Sequence, residues 1–153
     1  MIQEINIRNL GKQDYKFTWE SMQKAVLKKD EESLDEVWLL EHKPVFTLGQ
    51  AGKEENILNS DDIPVVRTDR GGEVTYHGPG QLVVYFMLNL RRRGWGPKKL
   101  IEKLETLIIA LLDGYGINAE RKTGAPGIYI ANKKIASIGL KIKKGFSYHG
   151  ISI

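Results

Sequence analysis

The chain contains no cysteine among its 153 residues, which excludes disulfides and thiolate metal sites without specifying a compartment. No apolar run approaches the roughly 20 residues that a membrane-spanning helix needs. The start, Met1-Ile2-Gln3-Glu4, has no basic segment leading into an apolar one, so neither membrane association nor a secretory leader is expected. A cytoplasmic location is the expectation. Histidine is scarce as well: His42, His77 and His149 are far apart and lack a His-x-x-x-His spacing, which argues against a metal hydrolase built on them. No metal site is expected on them. Acidic residues are missing from 121–153, where Arg121, Lys122, Lys133, Lys134, Lys141, Lys143 and Lys144 give a local charge of +7 against −3 for the remainder. Such a patch suits nucleic acid, anionic lipid or an acidic protein, or else lysines that blunt an exposed sheet edge.

What remains is an ordinary globular composition, 41% hydrophobic and 27% charged, in a length that fits one domain over 1–153. No internal repeat, linker or low-complexity tract interrupts it. The densest chemistry lies in Arg70-Gly71-Gly72-Glu73-Val74-Thr75-Tyr76-His77-Gly78-Pro79-Gly80-Gln81, directly before the apolar run Leu82 to Leu88. Gly71-Gly72 and Gly78-Pro79-Gly80 read as two tight bends, because glycine accepts positive φ and lets a ligand approach the backbone. Between them Arg70, Thr75, Tyr76 and His77 offer donors and an imidazole, and free main-chain N–H groups could hold a carbonyl oxygen. A glycine-rich hairpin loop is the plainer reading. The density of polar groups between the bends favours a binding-site wall.

Along the chain, residues 2–8 alternate weakly as a short strand. Tyr15, Trp19, Met22 and Val26 mark one face of a helix from Gln13 to Lys29. Strands are predicted at Val37–Glu41, Val45–Leu48 and Ile63–Arg67, and a central strand, covered on both faces, at Leu82–Leu88. Arg91-Arg92-Arg93 reads as an exposed basic loop. Nothing else resembles a nucleic-acid module, so no nucleic-acid partner is expected. Pro97 opens a helix whose buried stripe is Leu100, Leu104, Leu107, Ile108 and Leu111, and Gly114 and Gly116 end it. Ile117–Glu120, Ile128–Ile130, Ile135–Ile142 and Phe146–Ile153 read as further strands, with turns at Asn132-Lys133 and Lys143-Lys144-Gly145. Many strands joined by short turns predict an α+β domain with a mixed, largely antiparallel sheet and packed helices.

The motif from Arg70 to Gln81, followed by Leu82-Val83-Val84-Tyr85, resembles the signature of the octanoyltransferases of lipoate biosynthesis. Other segments agree in order: Glu41 to Gly49, Ile63 to Arg67, Gly124 to Tyr129, Lys134 to Gly139 and Ser147 to Gly150. The resemblance runs over nearly the whole chain and implies the catalytic core shared with biotin and lipoate protein ligases. It also implies transfer of an octanoyl group from octanoyl-acyl carrier protein to a lysine of the lipoyl domains of 2-oxoacid dehydrogenase and glycine-cleavage proteins. The implied route is ping-pong through an acyl-cysteine thioester, with no cofactor and no metal.

The family's nucleophilic cysteine belongs to a Pro-Cys-Gly segment beyond the His-Gly motif, and this sequence has no such segment. The expectation is a chain lacking the family's C-terminal portion and inactive alone. The resemblance assigns Lys134 as the activator that lowers the nucleophile's pKa, with Lys133 as its uninvolved neighbour. It assigns acyl binding to Arg70, Gly71, Gly72, Glu73, Val74, Thr75, Tyr76 and His77, to Ser137, Ile138 and Gly139, and to Gly150, Ile151 and Ser152. The last segment departs from the usual Gly-Leu-Ala by placing a hydroxyl at Ser152. His77 and His149, each before a glycine, are read either as facing one another across the site or as orienting their loops. The alternatives are a thiol-free acyl-binding relative and an ATP-dependent lipoate or biotin protein ligase of the same fold.

Overall fold

The computed structural model describes residues 4–153, so residues 2 and 3 of the first expected strand lie outside the described residues. Ten strands and three helices follow in the order β1 (Ile5–Gln13), α1 (Tyr15–Lys28), β2 (Asp35–His42), β3 (Val45–Leu48), β4 (Val65–Arg67), β5 (Val74–His77), β6 (Val83–Met87), α2 (Leu90–Arg93), α3 (Pro97–Asp113), β7 (Glu120–Lys122), β8 (Ala125–Ile130), β9 (Lys133–Lys143) and β10 (Phe146–Ser152). A seven-stranded sheet has the order β1-β2-β6-β10-β9-β8-β7, with β1 and β2 parallel and the other pairs antiparallel. A second, three-stranded sheet has the order β4-β3-β5. The architecture is the mixed, largely antiparallel α+β one expected.

The large sheet is covered on both faces, and the alternation of β6 shows why. Val83, Tyr85 and Met87 point to one side and pack with Met22 and Val26 of α1, Trp38 and Leu40 of β2, and Phe146 and Tyr148 of β10. Val84 and Phe86, with Leu88 just beyond the strand, join Leu100, Leu104, Ile108 and Leu112 of α3 on the other side. Successive strand residues alternate faces, so an all-apolar run is what a strand between two helical layers requires. Asp14 caps α1 by accepting a hydrogen bond from Phe17 N at 3.0 Å, and Pro97 opens α3.

Several expectations need correction. Leu107 and Leu111 are 51% and 43% exposed: the buried stripe of α3 runs through Leu100, Leu104, Ile108 and Leu112. Repeated steps of four kept the contact with the sheet on one line, so Leu107 and Leu111 fell beside it. Arg91-Arg92-Arg93 is a helical turn, not a free loop. Arg92 and Arg93 both pair with the fully buried Asp35, at 3.0 and 2.5 Å. Val74–His77, for which no strand is predicted, is a strand paired with β3. The strand expected at Ile117–Glu120 forms instead at Glu120–Lys122. The β8–β9 turn falls on Ala131 and Asn132, both at positive φ, one residue earlier than expected.

Candidate functional site

Of the two glycine bends, only the first lines the site. The first folds Arg70-Gly71-Gly72 over the end of β3 and against β9: Gly71 N donates to Leu140 O at 2.9 Å, and Gly49 N to Glu73 O at 2.9 Å. A side chain at Gly49 would stand 2.2 Å from Gly72 O, so the close approach requires glycine. The Arg70 guanidinium is buried beneath this bend. Its Nη2 donates to Thr47 O, Thr47 Oγ1 and Glu73 O at 3.0, 2.7 and 3.0 Å, and its Nη1 to Gly71 O at 2.9 Å. Arg70 therefore braces the loop through its own carbonyls.

On the opposite side β9 and β10 lie antiparallel with Gly150 opposite Gly139, Ile151 opposite Ile138 and Ser152 opposite Ser137. Two segments separated in sequence thus form one wall, register for register. Between this wall and the bend lies a cleft of about 620 Å³. Of the residues assigned to the site, all but Tyr76 line it. Tyr76 projects from the other side of β5, packs on Phe46 at a ring distance of 5.3 Å, and borders a smaller recess shared with Lys134 and Ile153. Lys134, near the start of β9, is exposed and lines both spaces, with Nζ 5.5 Å from the Tyr129 ring centre. Lys133 is exposed and lines neither.

The floor is polar, and of its side chains the sequence pointed to the two histidines but not to the two tyrosines. Tyr15 and Tyr85 line it with His77 and His149. His42 Nε2 lies 2.6 Å from the Tyr85 hydroxyl and its Nδ1 lies 3.2 Å from Gln13 O. Nδ1 faces a carbonyl and must donate, so Nε2 accepts from the tyrosine. His77 Nδ1 lies 2.6 Å from Gln81 Oε1. The His42 and His77 rings are 5.6 Å apart, and His149 stands edge-on to Tyr85, so His77 and His149 occupy the same floor without direct pairing. Burial holds His42 and His77 near pKa 4, well below the usual imidazole value, and lowers His149 too. The same burial pushes Tyr15 up to about 12 and Tyr85 well above its usual range. Tyr15 was read only as a helix-face aromatic. Its position one turn before Trp19 and two turns before Met22 carried no signal that it would line a site.

The glycine bend over an antiparallel ladder, the tyrosine and histidine floor and the lysine at the rim make up one cleft in an α+β core, and the family this chain belongs to gives that core its class, a catalytic domain of ligases and transferases. The chain belongs to the family described as the lipoyl protein ligase A/B catalytic domain, which matches residues 14–153. Within it the relatives include octanoyltransferases. The chain is 53% identical to the octanoyltransferase of Shewanella frigidimarina over 99% of its own length and 70% of that protein. It is 48% identical to that of Vibrio atlanticus over 100% of its length and 70% of the relative. The crystal structure of lipoate-protein ligase A bound with ATP shares the fold, at a TM-score of 0.81 and 13% identity over 98% of this chain and 66% of that one.

Proposed function

We propose that the cleft holds an octanoyl group in transit from octanoyl-acyl carrier protein to a lysine of lipoyl domains in 2-oxoacid dehydrogenase and glycine-cleavage proteins. The observation that carries this reading is the convergence of the Arg70–His77, Ser137–Gly139 and Gly150–Ser152 segments on one cleft with Lys134 at its rim. In this reading small residues on the β9–β10 wall leave room for the chain, whose burial contributes about 0.8 kcal/mol per methylene. The Ser152 hydroxyl stands where the family's usual methyl would be. Lys134 stabilises a thiolate and moves protons to and from the amide nitrogen. The basic surface of residues 121–153 suits an acidic carrier protein, and the site of action is the cytoplasm.

These 153 residues supply no thiol, so the acyl-cysteine intermediate needs a cysteine from outside them. The chain itself is accordingly an acyl-binding domain without turnover. The test is to mix it with octanoyl-acyl carrier protein and a lipoyl domain and to follow all three by mass spectrometry and by binding. Carrier binding with neither an octanoyl thioester on the chain nor transfer is the expected result. Octanoylation of the lipoyl domain only when octanoate and ATP are added would replace this reading with the ligase one. Absence of any acyl-dependent binding would overturn it.

A further inference from the structure

Asp69 precedes the glycine bend, does not line the cleft, and is nonetheless tied to its floor. Its carboxylate accepts from Trp19 Nε1 at 2.9 Å and from His149 Nε2 at 2.8 Å on Oδ1, and from Gln23 Nε2 at 3.3 Å and the Tyr148 hydroxyl on Oδ2. Burial opposes ionisation, but the hydrogen bonds from His149 and Tyr148 hold this acid well below the usual carboxylate range. An ionised carboxylate can only accept, so His149 Nε2 must carry a hydrogen.

Everything around the His149 ring reinforces that orientation. The ring stacks on Tyr148 at 5.0 Å and 25° and stands at 83° to Tyr85 at 6.1 Å. Its backbone has φ +61°, a left-handed conformation uncommon outside glycine. The ring is 1% exposed and burial favours its neutral form. A neutral imidazole with hydrogen on Nε2 has a lone pair on Nδ1, and no described residue partners that buried atom. The residue lines the acyl cleft, and a chain of methylenes offers nothing to such an acceptor.

We propose that Asp69 is a positioning residue that fixes His149 in the Nε2–H tautomer, making Nδ1 the acceptor for an N–H carried by the cleft's ligand. This rests on the acyl reading of the cleft and narrows it. A thioester has no N–H beside its carbonyl, whereas the attacking amine and the amide product do. An unpartnered acceptor thus favours the nitrogen partner over the thioester.

The probes are N-methyloctanamide and its near-isostere methyl octanoate, titrated into the chain while the imidazole nitrogens of His149 are followed by ¹⁵N spectroscopy. The free protein should show Nε2 protonated and Nδ1 bare. The amide should bind roughly tenfold more tightly than the ester, the worth of one hydrogen bond, and should shift the Nδ1 resonance. In Asp69→Asn the preference should vanish while the ester still binds. A free protein with hydrogen on Nδ1, or equal binding of the two probes with Nδ1 unmoved, overturns the inference alone. Binding of neither probe overturns the acyl reading of the cleft and the inference with it.

Discussion

Gly139 and Gly150 face each other across the β9–β10 ladder; Gly150 has no space for a methyl group, and Gly139 admits one only if its neighbours shift by a few tenths of an ångström. A Cβ on Gly139 would stand 3.0 Å from Gly71 O and 3.2 Å from Arg70 Cδ, and one on Gly150 would stand 2.0 Å from Val84 O. The pair lets the glycine bend close on the sheet from one side and β6 approach from the other. Gly150→Ala should be the worse substitution, because the obstructing atom is backbone within a paired strand. It is expected to cost upwards of about 3 kcal/mol, and Gly139→Ala about 1–2 kcal/mol. Urea unfolding of both variants measures this, and the reverse order would refute the account.

Lys134 depends on a third glycine. Gly127 sits at φ +126°, and a Cβ there would meet Ala136 O at 2.7 Å and Lys134 Cε at 3.2 Å. Gly127→Ala should therefore move the lysine from the rim as well as strain the backbone by about 1–3 kcal/mol. The reactivity of Lys134 toward an amine-modifying reagent, read by peptide mass mapping, should change severalfold while that of Lys133 stays level. Unchanged labelling at both positions would show that the glycine does not position the lysine.

Asp35 anchors α2 to the sheet. Besides Arg92 and Arg93 it accepts from Asn89 N at 2.7 Å, and its side chain is wholly buried. Asp35→Asn leaves two guanidinium groups without their counterion and should cost about 3–5 kcal/mol in urea unfolding. Replacing the pair together, Asp35→Leu with Arg93→Met, should recover part of that loss. A single substitution that costs under about 1 kcal/mol would mean that solvent already satisfies these arginines.

Acid should destabilise the fold in two windows. His42 and His77 have folded values of about 4 against 6.5 for the ordinary side chain. Between those values the unfolded chain binds protons that the native state refuses. The stability they contribute is complete above about pH 6.5 and falls as pH drops toward 4, with a limiting slope of about 1.4 kcal/mol per pH unit per group. His149 acts in the same direction. Asp69, depressed in the native state, adds a loss only below the usual carboxylate value near 3.9. Urea midpoints at pH 7, 5.5 and 4.5 should fall in that order, with a shallower fall for His77→Gln. A midpoint constant across this range would contradict the burial of neutral imidazoles.

The relation between sequence and structure differs from one element to the next. The unbroken apolar run from Leu82 to Leu88 identified a strand covered on both faces, because burial on two sides leaves no polar position. Helix α1 was legible from Tyr15, Met22 and Val26, and α3 from Pro97 and its leucines, though which leucines were buried was not. Leu107 and Leu111 share the chemistry of Leu104, and only the line of contact with the sheet separates them. Arg92 and Arg93 looked like surface charge because their partner, Asp35, lies more than fifty residues earlier.

By itself, then, the sequence determined the α+β class, the position of the glycine bends and the segments that form the cleft. These depend on local rules: side-chain period, glycine's access to positive φ, and a motif read residue by residue. The register of Ser137–Gly139 against Gly150–Ser152, the bracing role of Arg70 and the floor of Tyr15, Tyr85, His77 and His149 were decided by tertiary structure. So was the carboxylate that orients His149. Hydrogen bonds between distant side chains have no periodicity along the chain, and they become visible only when the strands that carry them are paired.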